Sequence, residues 1–366
     1  MKTSERKLRT SVVRALFAVI LVVPFVIPGE SVAQNATSGQ DDFVFRFVPE
    51  LSELPARAKK YEKNLHGGFV VDRRSGKGEI YFGVKGVGLV QLSGDLSRRR
   101  ILKASEELAS INIHNASIFY SKDGKAYLLL PSNEARKVYI TDLEGTILRI
   151  LENPQHNEYY RDGGAFVPCD AEVVNGVLYI VTGYSLGDYC VTADPFTAEW
   201  LETVFGGKGE AHGKFGIGHG ITHQANKKLL AVCDRSLSRI EKFSYKGEYK
   251  GTVALPNGSF PVDIDYHPLH PELAVVGCLH GSDRKKGAPI YILRDDKVVS
   301  TILAKEDLGI REATHLHDVV WRVMKGAQGT PETYLVCQTW NPGKVFVLKR
   351  VFLPVPVNVP VPLPEE

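Results

Sequence analysis

The sequence predicts an all-β chain folded as a six-bladed β-propeller. Two observations carry the prediction. Short apolar runs bounded by turn residues fill the chain, with almost no sustained helical periodicity. One such run also returns six times, at intervals of roughly 50 residues. The recurrences are Glu79-Ile-Tyr-Phe-Gly, Ala126-Tyr-Leu-Leu-Leu, Val177-Leu-Tyr-Ile-Val, Leu229-Leu-Ala-Val-Cys, Leu273-Ala-Val-Val-Gly and Thr333-Tyr-Leu-Val-Cys. Each follows a turn and another apolar strand. Most precede a third strand, such as Lys137-Val-Tyr-Ile-Thr or Lys344-Val-Phe-Val-Leu. Three or four antiparallel strands per repeat is the pattern of a propeller blade. A β-sandwich rarely repeats one unit six times.

The elements follow in chain order. Residues 1–14 are polar and basic, 15–27 form one apolar run, and Ser31-Val32-Ala33 supplies small residues for cleavage. This is the order of a secretory signal peptide over 1–33. The run is short for a membrane anchor and Pro24 interrupts it. The mature chain is therefore expected to be exported, with no membrane span after signal cleavage. Residues 34–64 form an N-terminal segment. Within it, Asp42-Phe-Val-Phe-Arg-Phe-Val48 alternates with period two and is expected to add a strand to the last blade, closing the ring. The propeller occupies 65–350. Residues 351–366 carry five prolines and read as an extended tail.

Composition narrows the function classes. Of 366 residues, 43% are hydrophobic and 24% charged, which excludes disordered, collagenous and multi-span membrane chains. The formal charge is +3. Lys2, Arg6, Lys7, Arg9 and Arg14 against Glu5 and Glu30 account for all of it, so the remainder is neutral. Without a basic run, no nucleic-acid partner is expected. The five cysteines include no Cys-x-x-Cys pair. Cys233, Cys278 and Cys337 sit in apolar runs and read as buried thiols. Cys169 and Cys190 sit in loop-like sequence and are the candidate disulfide of an oxidising compartment.

In a propeller, the first strand of every blade lines the central channel, so one phase of the repeat builds one mouth. That phase reads Asn64-Leu-His66, Ile113-His114, Cys169-Asp170, Gly218-His219, Pro261-Val-Asp263 and Leu316-His317-Asp318. Histidine occupies it in blades two, four and six. Alternate blades of a six-bladed ring stand 120° apart, so His114, His219 and His317 should converge. Three imidazoles with a fourth position left open make the ligand set of a catalytic zinc site. His315 is an alternative to His317, since residues two apart on a strand share a face. His223 follows His219 by four. His66 holds the same phase in blade one, as a fourth ligand or a substrate contact.

These residues resemble the lyase domain of the peptidylglycine α-amidating enzymes, an NHL-repeat propeller. Gly218-His219-Gly-Ile through Cys233-Asp234-Arg235 to Arg239-Ile-Glu-Lys-Phe243 looks like an NHL repeat, and its spacing from His to Arg is similar to the lyase's own. His114 and His317-Asp318 resemble the family's other two zinc histidines, the latter followed by Asp. Thr182-Gly183-Tyr184 resembles its catalytic Gly-Tyr turn. The resemblance covers about 65–350. It implies zinc on the three histidines, Tyr184 as base, Arg235 as carboxylate anchor, Asp318 as a calcium ligand and a Cys169–Cys190 bridge. Blade one differs, carrying His66 and no arginine, and Ile113-His114-Asn115 replaces Pro-His-Gly.

Three functions are in play. The first is a lyase that cleaves an α-hydroxyglycine-like substrate, small molecule or peptide, to an amide and a glyoxylate-type product. The second is a non-catalytic propeller binding a peptide, protein or cell-surface polymer. The third is a calcium hydrolase of the lactonase kind, which would need more channel carboxylates than the phase supplies.

Overall fold

The computed structural model describes residues 36–352, apart from 156, 161–164 and 327–328. The assigned signal peptide and the proline-rich stretch from 353 onward lie outside the described residues. Within them, six antiparallel sheets stand as the blades of one ring. The innermost strands are Val70–Val71, Ser117–Tyr120, Asp170–Val174, Gly218–Gln224, Pro261–Tyr266 and Leu316–Lys325. Each touches the next, and the sixth touches the first, so the inner strands enclose a channel.

Why the second strands read as unbroken apolar runs is clear from the packing. Among the described residues, six hydrophobic clusters stand one at each interface between successive blades. A second strand feeds the clusters on both of its sides. Leu230 and Val232 enter the interface with blade three, while Ala231 and Cys233 enter that with blade five. Leu273 and Val275 face blade six, while Ala274, Val276 and Cys278 face blade four. A strand buried on both faces loses the polar half of its alternation. Cys233, Cys278 and Cys337 are accordingly buried thiols.

The two chain ends share the sixth blade. Its order from outside to inside is Thr37–Gln40, Phe43–Phe47, Lys344–Val351, Pro331–Thr339 and Leu316–Lys325. Phe43–Phe47 runs antiparallel to Lys344–Val351, with Phe45 opposite Arg350. Val351, assigned to the tail from sequence, still pairs with Val44. Residues 49–65 cross back toward blade one through two short 3-10 turns and the helix Ala56–Lys59. Leu54, Ala58 and Leu65 seal the interface between blades six and one.

Ring closure therefore rests on an N-terminal strand docked on C-terminal ones. Phe45 is fully buried in the interface between blades five and six, against Trp321. Phe45→Ala should destabilise the protein by about 3–5 kcal/mol. Thermal unfolding should show one cooperative transition at lower temperature. An unchanged midpoint would mean that the ring does not depend on this strand.

Candidate metal centre

His219 and His317 stand at the starts of inner strands and His114 three residues before one, at 0, 1 and 0% exposure respectively. Their rings gather at one mouth of the channel. The centroid separations are 4.8 Å for His114–His219, 4.7 Å for His114–His317 and 5.2 Å for His219–His317. Each Nδ1 lies against a backbone carbonyl of the following blade. His114 Nδ1 donates to Cys169 O at 2.8 Å, His219 Nδ1 to Val262 O at 2.8 Å and His317 Nδ1 to Gly67 O at 3.0 Å. A carbonyl only accepts, so each Nδ1 carries the proton and each Nε2 keeps a lone pair. Burial pushes all three rings well below the usual imidazole range, so they are neutral.

Irregularities in the inner strands allow this aim. The ladder shifts register between Gly218 and Ile221, between Pro261 and Asp263, and between Leu316 and Asp318. A bulge re-aims side chains that regular alternation would point elsewhere. His219, Val262 and His317 each fall inside such a shift. Consecutive residues such as His317 and Asp318 can then serve different levels of one channel.

The three Nε2 atoms differ in their surroundings. His317 Nε2 is buried without a hydrogen-bond partner. His114 and His219 Nε2 converge on one phenol, the Tyr184 hydroxyl, at 3.3 and 3.1 Å. Three neutral imidazole lone pairs, each ring held by a backbone carbonyl on its Nδ1, are the donor set that zinc takes. His66 is the fourth ring, with centroids 4.9 Å from His114 and 4.6 Å from His317. Among the described residues, only His66, His114 and His317 bring three potential ligand atoms within 4.8 Å of one another, so by distance His66, and not His219, completes a set with His114 and His317. Trp340, which the sequence reading did not single out, stacks on His66 at 5.0 Å.

Tyr184 and Arg235 also reach this centre. Tyr184 hangs from the loop after Val177–Val181, and Arg235 directly follows Leu229–Asp234. Arg235 Nη1 donates to the Tyr184 oxygen at 2.8 Å, and its Cζ lies 5.1 Å from the ring centroid. Its buried Nε has no partner. Asp234 does not hold Arg235; it pairs with Arg239 at 3.0 Å and accepts from Gly216 and Ile217. Burial pushes the Tyr184 phenol up to about 12. His315 and His223 stay outside the centre. His315 donates to Asn341 O at 3.0 Å, and His223 meets the Tyr245 hydroxyl at 2.8 Å.

Asp318 does not join the histidines. Its carboxylate accepts from Phe69 N at 2.5 Å and Val319 N at 2.6 Å. It belongs to a second layer of the channel, with Asp170, Asp263 and Asn115, which sequence reasoning missed as a group. Asp170 and Asp263 were visible in the ring phase, but nothing in the sequence tied them to Asp318. Burial, and the carboxylates on one another, push Asp318 up to about 8 and Asp263 upward. Burial pushes Asp170 up to about 7. The buried Asn115 amide lies close enough to Asp170 to favour its charged form, without a well-formed hydrogen bond. Beyond this layer the channel opens into a cavity of about 600 Å³, lined in part by Glu172, Arg73 and Asp265.

The Cys169–Cys190 disulfide is a correction. Both are buried free thiols. Cys190 is not in a loop; it lies in the strand Tyr189–Ala193, opposite Val181. Cys169 N donates to that same Val181 from the other side. One whole strand separates them, which sets their backbones about 9–10 Å apart. A disulfide needs Cα atoms closer than about 7 Å.

No protein-family model matches the chain, and no curated protein matches it in sequence. Three solved structures are similar to it. Virginiamycin B lyase from Staphylococcus aureus is 12% identical, covering 79% of this chain and 96% of that one, with a TM-score of 0.48. A streptogramin B lyase structure is also 12% identical, covering 87% and 99%, at 0.47. Hydrazine synthase from Kuenenia stuttgartiensis is 15% identical, covering 61% of this chain and 55% of that one, at 0.42. The chain thus spans only about half of the latter's length.

Gly183 supports the centre from behind. A Cβ there would lie 2.1 Å from Gly218 O, beside His219. Gly183→Ala should cost about 1–3 kcal/mol through overpacking. Chemical denaturation would read this as a lower midpoint. Wild-type stability would show that the Tyr184 loop does not brace blade four.

Proposed function

We propose that this chain is an exported zinc-dependent lyase acting on α-hydroxyglycine-like substrates. The supporting observation is the set of three Nδ1–H bonds, which leaves an Nε2 lone pair on each of three clustered imidazoles. His114, His219 and His317 would hold the ion. When bound, zinc would supply charge that polarises a substrate oxygen and favours the phenolate of Tyr184.

The chain's own residues take the remaining roles. Arg235 already donates to Tyr184 and keeps an unpartnered Nε for a substrate carboxylate. Tyr184 removes the proton of the substrate hydroxyl. The O–H pair becomes the carbonyl of the glyoxylate product, the C–N bond breaks, and the amide nitrogen takes a proton. Burial holds the phenol near 12, so Arg235 alone leaves it a neutral hydroxyl.

Purified mature protein should carry about one zinc per chain, and each of His114→Ala, His219→Ala and His317→Ala should lose it. Tyr184→Phe should keep the zinc while glyoxylate release from an α-hydroxyglycine compound falls by about 10²- to 10⁴-fold. A zinc-loaded wild type that releases no glyoxylate would reject the lyase in favour of a binding propeller with the metal as a staple.

The second layer extends the reading. We propose that Asp318, as the resemblance implies, helps hold calcium as a structural ion. Calcium should raise the melting temperature of the zinc-loaded protein, and Asp318→Asn should abolish that rise. A calcium response retained in the variant would place the ion elsewhere.

A further inference from the structure

The fourth histidine differs from the other three in what holds it. His114, His219 and His317 each have Nδ1 against a carbonyl oxygen. His66 Nδ1 instead lies 3.1 Å from the Asn112 side-chain nitrogen. That nitrogen also donates to Asn133 Oδ1 at 2.9 Å. An amide N–H only donates, so His66 Nδ1 accepts and its proton sits on Nε2. The Nδ1 side, with Asn112 and Asn133, lines a shallow cavity together with Asn64, Lys85 and Glu134. The ring is fixed by its stack on Trp340 and by edge contacts to His114 and His317.

We infer that His66 is a hydrogen-bond donor to the ligand of the histidine ring and not a fourth ligand of the metal. A ring nitrogen binds a metal only through a free lone pair. On His66 the Nδ1 pair is engaged by Asn112 and Nε2 bears hydrogen. The inference rests on the metal reading above and adds a substrate feature to it. Blade one offers an N–H from a neutral imidazole, not the charged fork that an arginine would present. It therefore selects ligands with an oxygen acceptor, such as an amide carbonyl, next to the group held by the three histidines. It gives no extra cation for a second carboxylate. Asn112 is the positioning residue, acting through the tautomer of His66.

Two measurements decide it. Long-range ¹H–¹⁵N spectra of histidine-labelled protein should show Nε2–H for His66 and Nδ1–H for the other three, with His66→Phe identifying the signal. Asn112→Asp should reverse the His66 tautomer, because a carboxylate accepts from Nδ1–H. In cobalt-substituted protein, His66→Phe keeps the stack on Trp340. It should retain one cobalt per chain and an unchanged visible band, while acetohydroxamate binds about tenfold more weakly, the loss typical of one hydrogen bond. An Nδ1–H signal for His66, loss of cobalt or a shifted band in His66→Phe, or unchanged hydroxamate affinity would each overturn the inference. If wild type takes up no metal, the metal reading fails by itself. The tautomer in the metal-free protein still decides the assignment of His66.

Discussion

The hydrogen bond from a histidine Nδ1 to the next blade's backbone carbonyl is the interaction on which the centre depends. It occurs three times, from blade two to three, four to five and six to one. Even-numbered blades supply imidazoles and odd-numbered blades supply carbonyls. Each bond sets tautomer and ring direction at once. Gly67 O accepts from Gln338 Nε2 as well as from His317, so this carbonyl is doubly fixed. Because every bond crosses a blade interface, the geometry of the centre is tied to closure of the whole ring.

Closure is a matter of apolar packing. The six interblade clusters hold the inner strands at their spacing, and the strand Phe43–Phe47 completes the last of them. Inside this shell the channel is polar. It carries four histidines at one mouth, a carboxylate layer beneath, and the Arg73–Asp265 pair toward the far end, at 2.6 Å. Carboxylates crowded in a buried space are costly unless a proton or a cation neutralises them. The direction of the Asp170, Asp263 and Asp318 shifts expresses that cost. The donors of the nitrogen ring are of the kind that a borderline ion prefers.

Much of this was legible in the sequence. The blades could be read because second strands are buried on both faces and so repeat as unbroken apolar runs. The three histidines could be read because strand starts recur in phase, and their grouping needed only the sixfold order. Tyr184 and Arg235 were found through resemblance to a known motif and do meet at the ring. The carboxylate layer was not legible as a unit. Register shifts at Pro261–Asp263 and Leu316–Asp318 break the alternation that would have assigned those side chains a face. The cysteine pair misled because Gly187 and Asp188 gave Cys190 a loop-like context, whereas it lies in a central strand. The tautomer of His66 depends on Asn112, 46 residues away, and no local pattern records it.

The central claim is that three neutral imidazoles form a metal site at one mouth of the channel. A crystal structure of zinc-loaded protein, with anomalous differences measured on both sides of the zinc edge, tests it most directly. The account predicts one zinc peak about 2.0–2.1 Å from Nε2 of His114, His219 and His317. His66 should stand outside bonding distance. A zinc peak in the carboxylate layer, a peak bonded to His66 in place of His219, or no peak at the ring would contradict it.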